Sequence, residues 1–196
     1  MLQFPVHTVD NAPEASKDIL AQAGKAFGFV PNLLGVLALA PAAAQAYFNL
    51  NAIFNSTSLS DLERQVVLLT VSRENGCDYC LAAHTAGATM AKIPPAVLNA
   101  FRAGQRLPNA RLDALHRMIQ AMVSKRGRLD SADIDAFLAA GYSSAQLLEI
   151  IVGIALKTIS NYTNHVADTP LDAPFKQFAW TPAEPANVLC AACLSR

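Results

Sequence analysis

Asn75-Gly76-Cys77-Asp78-Tyr79-Cys80-Leu81-Ala82-Ala83-His84 spaces two thiols and an imidazole as C-x-x-C-x-x-x-H inside a stretch that otherwise reads as helix. Upstream, Ser60-Asp61-Leu62-Glu63 has the form of a capping box, with Ser60 as N-cap and Glu63 three residues later. The helix it opens runs to about Asn75 and carries Leu62, Val66, Leu69 and Val71 at roughly helical spacing. Gly76 lets the chain turn sharply into a second helix, Cys77 to Met90, with Cys77 near its N-cap and Cys80 in its first turn. His84 follows Cys80 by four residues and so lies one turn along on the same face, where it can pass a proton to or from that thiol.

Helical signals continue on both sides. Towards the N-terminus, Asn11-Ala12-Pro13-Glu14 starts a helix that reaches about Phe27, and Gly28 to Asn32 breaks it. A short helix from Leu33 to Leu39 follows, and Pro41 suits the first turn of another, to about Asn55. Beyond the thiols, Ile93-Pro94-Pro95 closes one helix and opens the next, to about Ala103. Pro108 to Lys125 is amphipathic, with Leu112, Leu115, Met118, Ile119 and Met122 on its apolar side. Asp130 caps a helix to Ala140 closed by Gly141, and Ser143 or Ser144 caps the most apolar helix, to about Asn161. From Thr169 the proline- and aromatic-rich tail is expected to be extended or irregular. With no convincing alternation of strand type, the expectation is an all-α fold in one domain. Within residues 1–196 it comprises N-terminal helices over 1–55, a core carrying the thiols over 59–168 and a tail over 169–196.

Composition narrows the function classes. Hydrophobic residues make up 53% and charged residues 15% of the 196, well below the roughly 25% charged of an average domain. That deficit points to surface buried between subunits, hence a homo-oligomer. The longest apolar runs, Gln65 to Val71 and Leu147 to Leu156, are too short or interrupted to span a bilayer. The 15 basic and 15 acidic residues balance, and the densest basic run, Lys125-Arg126-Gly127-Arg128, reads as a helix end, which argues against nucleic acid as a partner. Met1-Leu2-Gln3-Phe4-Pro5 lacks the charged start and apolar stretch of a signal peptide, so the cytoplasm is the expected compartment. There a C-x-x-C serves catalysis or metal binding more often than a structural disulfide.

Thiolate is the reactive form of cysteine, and a helix N-terminus favours it through free N–H groups and the positive end of the dipole. Cys80, nearer His84, is therefore assigned as nucleophile, and Cys77 as the thiol that attacks the resulting sulfenic acid or mixed disulfide. Zinc is the competing use: Cys77, Cys80 and His84 could supply three ligands and His165 a fourth. A structural site usually pairs two knuckles, however, and a lone histidine would stand for the second, so neither metal nor cofactor is expected. Cys190-Ala191-Ala192-Cys193 repeats the C-x-x-C spacing without a nearby histidine.

The run Leu59-Ser60-Asp61-Leu62-Glu63-Arg64-Gln65-Val66-Val67-Leu68-Leu69-Thr70-Val71-Ser72, leading into Cys77, Cys80 and His84, resembles the AhpD-like alkylhydroperoxidases of the carboxymuconolactone decarboxylase superfamily. Asn161-Tyr162-Thr163-Asn164-His165-Val166-Ala167-Asp168-Thr169-Pro170-Leu171-Asp172 resembles a C-terminal segment of the peroxidase-related branch. The resemblance implies an all-helical subunit assembled as a trimer or hexamer, a peroxidatic Cys80, a resolving Cys77 and His84 in a proton relay with an upstream glutamate. That glutamate usually stands twelve residues before the first cysteine, and here the position is Gln65, which cannot exchange a proton at neutral pH. Glu63 falls on another face of its helix. Glu74, three residues before Cys77, is the carboxylate favoured to reach the thiols from the helix end, ahead of a water-mediated role for Gln65. His165 either lines the same cavity or caps a helix C-terminus.

The expectation is thus a thiol peroxidase that reduces hydrogen peroxide or organic hydroperoxides and is recycled by a dithiol protein or small thiol. The alternatives are a non-catalytic redox-sensing or zinc-binding oligomer, and an enzyme of the carboxymuconolactone decarboxylase type.

Overall fold

The computed structural model describes residues 3–180. Among them the order is α1 (Glu14–Phe27), α2 (Asn32–Leu37), α3 (Pro41–Asn55), α4 (Asp61–Glu74), α5 (Asp78–Met90), α6 (Pro95–Ala103), α7 (Ala110–Ser124), α8 (Ser131–Ala139) and α9 (Ser144–Ala167). A 3-10 helix, Ala173–Phe178, follows, and no strand occurs among the described residues. No single helix there is long and apolar enough to cross a membrane.

Local chemistry sets most boundaries. Ser60, Asp130 and Ser143 each close a capping box with the residue three places on. Asn109, rather than the neighbouring Pro108, caps α7 by accepting from the N–H groups of Arg111 and Leu112. Gly76, at φ +65°, provides the left-handed step between α4 and α5, and the Cys77 N–H returns to the Ser72 carbonyl at 2.9 Å.

Two apolar clusters hold the helices. The larger joins α4, α6, α7 and α9, with Val66, Val67, Leu115, Ile119 and Ile150 at its centre. The five apolar positions of α7 read from the sequence are all buried in it. The second gathers α1, α2, α3, α5 and the 3-10 helix around Leu20, Leu34, Ala82 and Phe175, and both cysteines belong to it. Gly153 lets α9 lie close to α3 and α4: a Cβ there would stand 2.7 Å from Val67 and 2.8 Å from Phe54.

Two elements differ from expectation. Helix α9 runs six residues past Asn161 and ends at Asp168 in the left-handed conformation. Asn161 and Asn164 do not break it, because their side chains find buried partners across the helix packing. The segment after Thr169 is not wholly irregular. Pro174 starts the 3-10 helix, and Phe175 packs edge-on against Phe29 and Tyr79 at centroid distances of 5.6 and 6.2 Å.

Candidate functional site

Cys77 is the N-cap of α5 and Cys80 lies in its first turn, as the spacing requires. Both thiols are buried and free, 3.4 Å apart, at the start of a helix whose free N–H groups favour an anion. From α9, the Asn164 side-chain amide donates to Cys80 Sγ at 3.3 Å and reaches Cys77 Sγ at 3.8 Å. Asn161, one turn earlier, accepts from Asn75 at 2.9 Å and so ties α9 to the turn that presents the thiols.

The two sulfurs are not equivalent. Burial, the largest influence on Cys80, pushes its thiol up, but the hydrogen bond from Cys77 and the positive charge of Lys157 outweigh it. The Cys80 thiol is held well below its ordinary value. Cys77, whose proton is shared towards Cys80 and which is buried besides, is pushed far up and stays a thiol. These influences favour a thiolate on Cys80 with the proton kept on Cys77.

His84 sits one turn beyond Cys80, on the cavity wall. Its Nε2 accepts from the Lys157 ammonium at 2.9 Å, and no hydrogen bond joins it to either thiol among the described residues. Burial, with the charge of Lys157, holds the imidazole well below its ordinary value and therefore neutral. Sequence reasoning made His84 the direct proton partner of Cys80. In the fold Lys157, 1% exposed, stands with both.

Cys80, His84 and Lys157 open on a cavity of about 280 Å³. Phe27, Leu34, Tyr47, Phe48, Met90 and Phe175 give it an apolar, largely aromatic wall, and Asn51 and Gln65 add polar points. Gln65 occupies the place expected for a relay carboxylate, and its Oε1 is buried without a partner. The front of the cavity is fastened by Tyr79, which donates to Asp172 and accepts from the Leu33 N–H at 3.2 Å. Asp172 in turn accepts from the Asn32 N–H at 3.0 Å, so one carboxylate joins α2, α5 and the 3-10 helix.

Other expected site residues lie elsewhere. Glu74 is exposed at the end of α4, where its carboxylate accepts from Gln120 of α7 at 2.9 Å. It does not line the cavity, because the helix turns it to the α7 side. Glu63 is locked by Ser60 and Arg111. His165, one residue past Asn164, is exposed and does not line the cavity. With His84 bonded to Lys157 and His165 turned outward, the four proposed zinc ligands do not converge, and no group of three such side chains does among the described residues. Cys190 and Cys193 lie outside the described residues.

Sequence reasoning missed Lys157 and Asn164. A signal was present: Lys157, Asn161 and Asn164 recur at i, i+4 and i+7, a polar stripe on an otherwise apolar helix.

Residues 41–110 match the model of the carboxymuconolactone decarboxylase family. Comparison with curated proteins finds no match in sequence. Among solved structures, the alkylhydroperoxidase AhpD core of a peroxidase-related protein from Ralstonia eutropha JMP134 superposes with a TM-score of 0.77 at 21% identity, covering 88% of this chain and 93% of that one. A peroxidase-related protein from Silicibacter sp. TM1040 gives 0.76 at 21%, over 90% and 94%. The debrominase Bmp8, as a cysteine-to-alanine variant with 2,3,4-tribromopyrrole, gives 0.76 at 19%, over 91% and 95%. One fold therefore carries more than one activity. The match over residues 41–110 and the helical frame shared with these structures support a place for the chain among the AhpD-like proteins of the carboxymuconolactone decarboxylase superfamily.

Proposed function

We propose that the protein is a thiol peroxidase that reduces small organic hydroperoxides at Cys80. The observation that carries this reading is the geometry of the pair: two sulfurs 3.4 Å apart at a helix start, Cys80 accepting from the Asn164 amide and pushed towards its thiolate while Cys77 is pushed the other way. Cys80 attacks the terminal oxygen of the hydroperoxide, the O–O bond breaks, and a sulfenic acid and an alkoxide form. Cys77 then displaces hydroxide from the sulfenic acid, its own proton completes water, and the Cys77–Cys80 disulfide remains. A dithiol protein or small thiol returns both cysteines to the reduced state.

The aromatic wall favours a substrate with an apolar body over hydrogen peroxide, since a buried ring gains on the order of 25 cal/mol per Å² of apolar surface. A homo-oligomer is part of the proposal. Leu148, Ile151, Tyr162 and Val166 leave an exposed apolar stripe along α9, more than a solvated helix requires.

The test is turnover of cumene hydroperoxide with dithiothreitol. Wild type should consume it, while Cys80→Ser should be inert; equal consumption by the variant overturns the reading. The likeness to a debrominase, together with the aromatic cavity, supports a second reading: reductive removal of halide from a small aromatic ring. There the two thiols and an aryl bromide give the disulfide, the arene, bromide and a proton. Bromide release from 2,3,4-tribromopyrrole without hydroperoxide turnover would favour it.

A further inference from the structure

Lys157 is a cation in the wrong place for a structural lysine. It is 1% exposed, and its one hydrogen-bond partner among the described residues is the neutral Nε2 of His84. None of the carboxylates in the described ion pairs reaches it. The cavity position where a carboxylate is expected holds Gln65, which bears no charge. A buried ammonium without a counter-charge is strongly disfavoured. The negative group that can neutralise it here is the sulfur of Cys80, on the wall of the same cavity.

We propose that Lys157 takes over the work of the missing relay carboxylate: its ammonium is the counter-ion of the Cys80 thiolate and the acid that protonates the leaving alkoxide. The second half of this assignment rests on the peroxidase reading. In the reduced protein the proton lost by Cys80 resides on Lys157. When the thiolate attacks and the O–O bond breaks, Lys157 gives that proton to the departing oxygen, so alcohol leaves in place of alkoxide. The amine is then neutral while Cys77 closes the disulfide. Reduction by a dithiol returns two protons to the cysteines, and the proton of Cys80 passes back to Lys157. His84, accepting through Nε2, is a positioning residue that holds the amine in line.

The experiment measures carbamidomethylation of Cys80 against pH, read on the Cys80 peptide by mass spectrometry, in wild type, Lys157→Met and Lys157→Arg. Circular dichroism establishes that each variant is folded. Lys157→Met should move the alkylation midpoint up by at least one pH unit, and Lys157→Arg should move it back towards wild type. An unchanged midpoint in folded Lys157→Met overturns the counter-ion role. The acid role is read from two oxidants that differ in leaving group. Lys157→Met should slow oxidation by cumene hydroperoxide at least tenfold more than oxidation by peroxyacetic acid, whose acetate needs no proton. Equal loss with both oxidants overturns the acid role. If wild type oxidises with neither, the peroxidase reading fails, and the alkylation arm alone decides whether Lys157 is the counter-ion.

Discussion

The side-chain amide of Asn164 donates to the sulfur of Cys80 across 3.3 Å, joining the last turns of α9 to the first turn of α5. A hydrogen bond to a charged acceptor contributes about 1.5–3 kcal/mol, or about one to two pH units in the ionisation of that acceptor. Asn164→Leu should therefore raise the pH at which Cys80 is alkylated by about one unit. The helix should remain, since leucine is the better helix former. An unshifted alkylation curve in a folded variant would show that the amide does not support the thiolate.

His84 separates two accounts of proton movement. If it acts by holding Lys157, any neutral acceptor that fills its place serves. Retaining that acceptor, His84→Gln should oxidise Cys80 within about tenfold of wild type, a difference of about 1.4 kcal/mol, and His84→Phe should lose much more. Equal and severe losses in both, read by stopped-flow oxidation, would return the proton to the imidazole itself.

Acid should destabilise the fold through its buried histidines. His116 bonds Thr70 across 2.9 Å and stacks edge-on with Phe101. Burial, helped by the charge of Arg73, lowers its pKa from the ordinary 6.5 to about 4. Between those values the unfolded chain binds more protons than the native one. Stability is thus complete above about pH 6.5 and falls as pH drops through the window, by up to about 3 kcal/mol. His84, lowered in the same direction, adds to the loss. Urea unfolding of wild type at pH 7 and pH 4.5 should show this drop, and His116→Gln should flatten it. An equally steep pH dependence in the variant would place the acid sensitivity elsewhere.

The clamp at Asp172 is structural. Removing its carboxylate leaves the Tyr79 hydroxyl and the Asn32 N–H without their acceptor. Each buried orphan costs about 1–3 kcal/mol. Asp172→Ala should lower Tm by several degrees at about 2–4 °C per kcal/mol for a chain of this size. It should also loosen the 3-10 helix, seen as faster amide exchange around Phe175. A Tm within one degree of wild type would mean that the apolar contacts of Phe175 suffice.

Where a signal was local, the sequence carried it. The helix boundaries at Pro41, Ser60 and Pro95 follow from proline at N1 and from capping boxes, which depend on a few neighbouring residues. Cys77 and Cys80 fall where their spacing and Gly76 set them. What decided the rest was packing between distant segments. Glu74 is close to Cys77 along the chain, yet the end of α4 turns it to Gln120 of α7. Lys157 lies 73 residues from His84, and only the crossing of α9 over α5 brings them together. In the Asn164-His165 pair it is the asparagine that meets the thiols, because the helix continues and rotates the histidine outward.

The central claim is a peroxidatic Cys80 resolved by Cys77, and a single turnover tests it most directly. Fully reduced protein would be mixed with about one equivalent of cumene hydroperoxide, quenched by alkylation and digested, and the peptide carrying both cysteines weighed. The account predicts rapid formation of the intramolecular Cys77–Cys80 disulfide in wild type, a trapped sulfenic acid on Cys80 in Cys77→Ser, and no oxidation at this site in Cys80→Ser. Oxidation of Cys77 at the wild-type rate in Cys80→Ser would contradict it.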